Sequence, residues 1–200
     1  MNWLETAIKN EIIRTASSVK DFVRQMSDMM KSHGREPPEG FAYTTHFDYF
    51  LENGKEYISS PLTPDELAVL KEAIKGHKLM YKPKQCFYNA QNLAQEKREC
   101  RYVEGYLFSG VIPLEHGWNS INGKVIDFTM AHANGGKPIL GEIPAGWEYF
   151  GVELPTTMIR SLWARKGVSI PLVTNYEDGY PLLRKKPNEI EQETEDEGSG

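Results

Sequence analysis

The dipeptide Asn122-Gly123 constrains this chain more than any other feature. It stands between two alternating runs, LEHGWNSI and KVIDFTM, and Asn-Gly is the pair that most favours a two-residue type I′ hairpin turn. Such a turn sets the register: Ile121 faces Lys124, Trp118 faces Asp127 and His116 faces Thr129. Side chains alternate with period two, so His116, Trp118, Asp127 and Thr129 share one face. His116 and Asp127 become diagonal neighbours with Cβ atoms about 6–8 Å apart, within reach of a hydrogen bond. An imidazole oriented by a carboxylate is the proton-handling half of a nucleophilic site.

The other half needs a thiol or hydroxyl. The stretch QCFYNAQNLAQEKREC predicts a helix over 85–100, with Phe87, Ala90, Leu93 and Ala94 facing inward. Cys86 stands at its start, where backbone N–H groups and the macrodipole favour a thiolate and can hold an oxyanion. Cys100 lies one such helix away, about 21 Å at ~1.5 Å per residue, which is beyond disulfide reach. Cys86 is therefore read as a free nucleophile and Cys100 as a structural thiol.

Around this constellation the chain alternates short strands and helices. Strands are predicted at 101–110 and 148–154, and a helix over 156–167 that ends at Gly167. Thr63-Pro64-Asp65-Glu66 is a capping box with Pro at the first helical position, opening a helix that Gly76 stops. Residues 131–146, which include His132, read as a loop, either an ordinary connection or a lid or substrate-binding edge. Residues 168–185 read as irregular with one edge strand. Hairpin-linked strands with segregated helices define an α+β domain on an antiparallel sheet.

The N-terminal part is less definite. Leu4, Ala7, Ile8, Ile12, Ala16, Val19, Val23, Met26 and Met30 recur at helical spacing over 3–30. That helix either packs on its own domain or docks a partner or a second copy. GREPPEG (34–40) is a linker, and the aromatic stretch 41–60 predicts a hairpin around Asn53-Gly54. The expected division is a helical extension over 1–40, the α+β domain over 41–183 and an acidic tail over 184–200.

Composition excludes several classes. The net charge is −5, yet six acids lie in the last twelve residues; without them 22 acids face 23 bases. No basic face argues for nucleic acid. No apolar run is long enough to span a membrane. The charged N-terminus does not look like a signal peptide, and two cysteines suit a reducing cytoplasm. Neither a Gly-x-Gly-x-x-Gly stretch nor a P-loop is present, so no nucleotide or redox cofactor is expected.

A helix-borne Cys followed by His and Asp on adjacent strands resembles the papain-like cysteine enzymes, and most closely their transglutaminase-like branch. The resemblance lies in QCFYNA (85–90), YVEGYL (102–107), EHGW (115–118) and VIDFT (125–129), within about Tyr81 to Phe150. It implies Cys86 as nucleophile, His116 as general base and acid, and Asp127 as orienting group. Gln85, Asn89, Glu104 and Trp118 are candidates for substrate or oxyanion contact. Glu115 is a further candidate, on the strand face opposite His116. The expected activity is acyl transfer through a thioester, as a peptidase or amidase or as a transglutaminase-like acyltransferase, on a protein or a small amide or amine.

Two other readings differ in class. One is a non-catalytic interaction module that uses the scaffold and its N-terminal helix. The other is a metal site, with His46 and Asp48 on one strand face joining His116 and Asp127.

Overall fold

Local capping chemistry decides where the helices begin. The computed structural model describes Glu11 and residues 16–32, 34–76 and 82–185. Helix α1 (Val19–Ser32) starts at Ser18, whose Oγ accepts the Asp21 N–H at 3.0 Å, while Asp21 takes the Ser17 N–H at 2.9 Å. Residues 16–18 are therefore not helical, and the continuous helix expected through this region is interrupted. Residues 3–10 and 12–15 of that expectation lie outside the described residues.

The hairpin expected around Asn53-Gly54 does not form. Helix α2 (His46–Asn53) takes its place, because the Thr45 N–H and hydroxyl both reach the Asp48 carboxylate, at 3.0 and 3.1 Å. Phe47 and Phe50 then fall on one buried helical face, and the Gly54 N–H closes the helix onto the Phe50 carbonyl at 2.8 Å. Strand β1 (Lys55–Tyr57) follows and pairs elsewhere. Helix α3 (Pro64–Gly76) opens as its sequence implies, with the Thr63 N–H on Glu66 at 2.8 Å.

Helix α4 (Cys86–Glu96) stops four residues short of Cys100, which is fully buried beyond a turn. Then come β2 (Arg101–Phe108), β3 (Pro113–Ile121), β4 (Lys124–Asp127), β5 (Ile139–Leu140), β6 (Glu148–Leu154) and helix α5 (Thr156–Lys166). The strands form one antiparallel sheet in the order β1-β6-β2-β3-β4-β5, curled into a half-barrel. The architecture is α+β.

The two faces of the sheet carry different cores. Tyr102, Tyr106, Phe150, Val152 and Leu154 pack against Phe22, Phe50, Ala90 and Ile159 from the helices. Val103, Leu107, Trp118, Val125 and Tyr149 point the other way and are closed by Met130, Ile139 and Trp147. Helix α1 contributes Val19, Phe22, Val23 and Met26 to the first core, so its described part packs on its own domain. At the other end Arg184 bridges Phe41, and the Lys185 N–H reaches the Gly40 carbonyl at 3.0 Å. These two residues belong to the folded body rather than to the acidic tail; residues 186–200 lie outside the described residues. Among the described residues no helix is long and apolar enough to cross a membrane.

The sheet's curl depends on glycine. Gly105 of β2 stands opposite both Gly151 of β6 and His116 of β3. A Cβ at Gly105 would lie 2.1 Å from the Phe150 carbonyl oxygen and 2.5 Å from the Gly151 Cα. Both obstacles are backbone and cannot rotate away. Gly105→Ala is expected to destabilise the protein by about 2–3 kcal/mol, read from the midpoint of urea unfolding. An unchanged midpoint would mean that β2 and β6 can part at this point.

Candidate active site

The hairpin turns where the sequence places it. Asn122 and Gly123 take positive φ of 51° and 80°, and Ile121, Ser120 and Asn119 pair with Lys124, Val125 and Ile126. His116, Trp118 and Asp127 therefore share the face that carries Tyr149. His116 Nε2 lies 2.7 Å from Asp127 Oδ2, with both residues buried.

Thr129 does not extend the strand. β4 ends at Asp127, and residues Thr129–His132 form a 3₁₀ turn. The edge of β3 beside His116 is thus left without a strand partner. Helix α4 lies on the other face, and its first turn reaches this uncovered edge. Phe87 packs directly on Gly117, where a Cβ would meet the Phe87 ring at 2.8 Å. Asn89 donates to the Thr129 hydroxyl at 2.9 Å. These contacts bring Cys86 and His116 together.

Cys86 is half-buried and free. His116 Nε2 is committed to Asp127, which leaves Nδ1 to exchange a proton with the thiol. Burial works against a charged imidazole. The charge and hydrogen bond of Asp127, with a contribution from Cys86, outweigh it and carry the His116 pKa up to about 10. At neutral pH the ring is therefore an imidazolium.

Asp127 is held from three directions. Its Oδ2 also accepts the Tyr149 hydroxyl at 3.0 Å, and its Oδ1 accepts the Met130 N–H at 3.1 Å. Burial keeps the Tyr149 hydroxyl protonated, so it can only donate to this carboxylate. Sequence reasoning missed Tyr149. Its strand was expected, but nothing in the chain shows that β6 curls towards β4.

The helix start supplies an anion site. The first bond inside α4 runs from the Asn89 N–H to the Gln85 carbonyl, at 2.9 Å. The N–H groups of Cys86, Phe87 and Tyr88 therefore have no acceptor within the helix. Lys84 precedes this turn with φ of 63°, a left-handed conformation uncommon for a side chain of its kind.

The remaining candidates fall in different places. Gln85 is exposed, and its backbone, rather than its amide, opens the helix. Asn89 is buried with its amide engaged: it bonds the Lys82 carbonyl at 2.9 Å and the Lys82 N–H at 3.1 Å, besides Thr129. It clamps the loop before Cys86 rather than facing a substrate.

Glu104 also turns away from the thiol chemistry. It accepts the Tyr102 hydroxyl at 2.7 Å and the Leu172 and Val173 N–H groups at 2.5 and 2.8 Å, and burial pushes its carboxyl up to about 7. Trp118 stacks on His116 at 6.2 Å between ring centres and meets Tyr149 edge-on at 5.2 Å. It screens the His116–Asp127 bond from water.

The four-residue metal site does not assemble. His46 and Asp48 lie on a helix. His46 pairs with the Tyr106 hydroxyl at 3.0 Å, while Asp48 binds Lys31 at 2.7 Å. Among the described residues no cluster of three or more His, Cys, Asp or Glu could hold an ion. His132 is exposed, with Nδ1 2.9 Å from the Thr129 carbonyl oxygen.

Compared with known proteins, the chain matches no family model, no curated protein and no solved structure.

Two outcomes follow from this geometry. The folded-state pKa of His116 lies above its ordinary 6.5, so the stability it supplies is complete below pH 6.5 and is lost as pH rises towards about 10. In a Cys86→Ser background, which removes the thiol's own titration, unfolding midpoints should fall across that window. Asp127→Asn should flatten the fall, and nitrogen NMR of the ring should show the titration moving down. Gly117→Ala should push the first turn of α4 outward by the few tenths of an ångström that Phe87 must yield. Because small misplacements of reacting groups cost up to about 100-fold, the alkylation rate of Cys86 at neutral pH should drop by about tenfold.

Proposed function

We propose that this protein is a cysteine-dependent acyl-transfer enzyme with a papain-like, transglutaminase-like catalytic core. The observation that carries the reading is His116, buried between Asp127 and Cys86 with its proton held to about pH 10.

The steps follow from the positions. At rest the proton shared with Cys86 sits on His116 Nδ1, and the sulfur attacks an amide or ester carbonyl as the thiolate of that ion pair. The tetrahedral oxyanion that forms lies against the unpaired N–H groups of the first turn of α4. His116 returns the proton to the leaving amine or alcohol, and the carbonyl re-forms as a thioester on Cys86. Water or an amine then attacks the thioester, with His116 as general base, and the thiolate leaves. Asp127 holds the imidazole tautomer throughout, and Tyr149 and the Met130 N–H hold Asp127. Water as acceptor makes the enzyme a peptidase or amidase; an amine makes it an acyltransferase. Two reduced cysteines suit work in the cytoplasm.

The test is the rate of Cys86 alkylation against pH, read by peptide mass spectrometry. Cys100 is the internal control, since burial pushes its thiol up to about 12 and shields it. Cys86 is expected to react fast well below pH 8, and His116→Ala should abolish that advantage. A Cys86 no faster than an ordinary thiol would sink the catalytic reading and leave the scaffold as an interaction module.

A further inference from the structure

An open groove of about 600 Å³ is lined by residues next in the chain to Cys86 and His116. These are Phe87 and Glu115, and Tyr176, Glu177 and Tyr180 from the segment after α5 join them in its lining. His46 also lines it, and burial holds its ring neutral at physiological pH. Among the described residues no lysine or arginine lines the groove.

The charges are unevenly matched. Glu177 and the neighbouring Asp178 share Lys166, at 3.5 and 2.9 Å, and Asp178 also takes Arg165 at 3.2 Å. Glu115 has no cation among the described residues. Its Oε1 accepts the Thr174 hydroxyl, at 2.5 Å, and the residue is exposed to solvent. Tyr176 is 72 % exposed, a large ring contributing little to the core. The segment that bears it is pre-positioned, because buried Glu104 ties the backbone at Leu172 and Val173. An uncompensated carboxylate among aromatic faces is the chemistry that holds an organic cation.

We infer that this groove is the specificity subsite of the enzyme and takes an alkylammonium or guanidinium group, borne by the acyl substrate or by an amine acceptor. The inference rests on the acyl-transfer reading only in setting that group beside a reacting carbonyl. The cation would pair with Glu115 and lie against Tyr176 and Tyr180, so a lysine-like side chain fits and its neutral isostere does not.

Binding tests this without catalysis. In the Cys86→Ser protein, N-acetyl-lysine amide and N-acetyl-norleucine amide are titrated by NMR. The lysine compound should bind about tenfold more tightly, and both Glu115→Gln and the surface substitution Tyr176→Ala should shrink that ratio. Equal binding of the two amides, or a ratio that survives Glu115→Gln, would overturn the subsite. The intact enzyme is then offered the matching methyl esters, with 1,5-diaminopentane or its one-amine analogue pentylamine as a second acceptor. A Glu115-dependent preference for the lysyl ester puts the cation on the acyl donor. A Glu115-dependent acceleration by the diamine over pentylamine puts it on the acceptor. Lysine-selective binding with no Cys86-dependent turnover of either ester keeps the subsite and removes the acyl-transfer reading instead.

Discussion

A carboxylate buried to 1 % exposure has to be compensated, and the way Asp127 is compensated organises this molecule. An isolated buried charge costs many kcal/mol, so the fold must bring donors to it. They come from three places: His116 on β3, Tyr149 on β6 and the Met130 N–H of the 3₁₀ turn. β6 is three strand positions from β4, about 14 Å in a flat sheet at ~4.8 Å per strand. A tyrosine cannot span that distance, so the bond exists only because the sheet curls. Gly105 and Gly151, with no side chains to hold the strands apart, permit the curl.

A second constraint docks Cys86. Helix α4 is fastened to the sheet by buried amides rather than by apolar contact alone. Asn119 donates to the Ala90 carbonyl at 2.9 Å. Gln91 is fully buried and has four partners: it donates to the Tyr102 hydroxyl and the Ile170 carbonyl, and accepts from Trp163 and Ser169. A satisfied buried network of this kind accepts one arrangement and penalises slippage. Together with the Phe87–Gly117 contact it sets the height of Cys86 against His116. The same network, through Ile170, ties the groove-lining segment to the helix that carries Cys86.

Much of the site was legible because short-range rules governed it. Asn122-Gly123 admits one turn type, so the register of His116 against Asp127 followed from residues only five apart on either side. Thr63 and Glu66 announced α3, and Cys86 stood at the first helical position as the pattern implied. The misreadings had local causes as well. Aromatic residues at 41–60 suggested strands, but Thr45 and Asp48 form a cap that turns the same residues into a helix. Ser17 and Ser18 interrupt an apolar periodicity that runs across them unchanged. Asn89 and Glu104 were placed on plausible faces, yet their partners at Lys82, Thr129, Leu172 and Val173 lie on segments with no recognisable motif.

The sequence alone determined the hairpin, its register, the shared face of His116 and Asp127, and a thiol at a helix start, because each depends on backbone geometry within a few residues. Only the tertiary structure decided that β4 stops early enough for α4 to reach His116, that Tyr149 crosses the curled sheet to Asp127, and that Glu115 faces a groove without a cation. Those three arrangements join segments 20 to 60 residues apart in the chain. They are set by how curvature and buried polar groups are satisfied together, which no local spacing records.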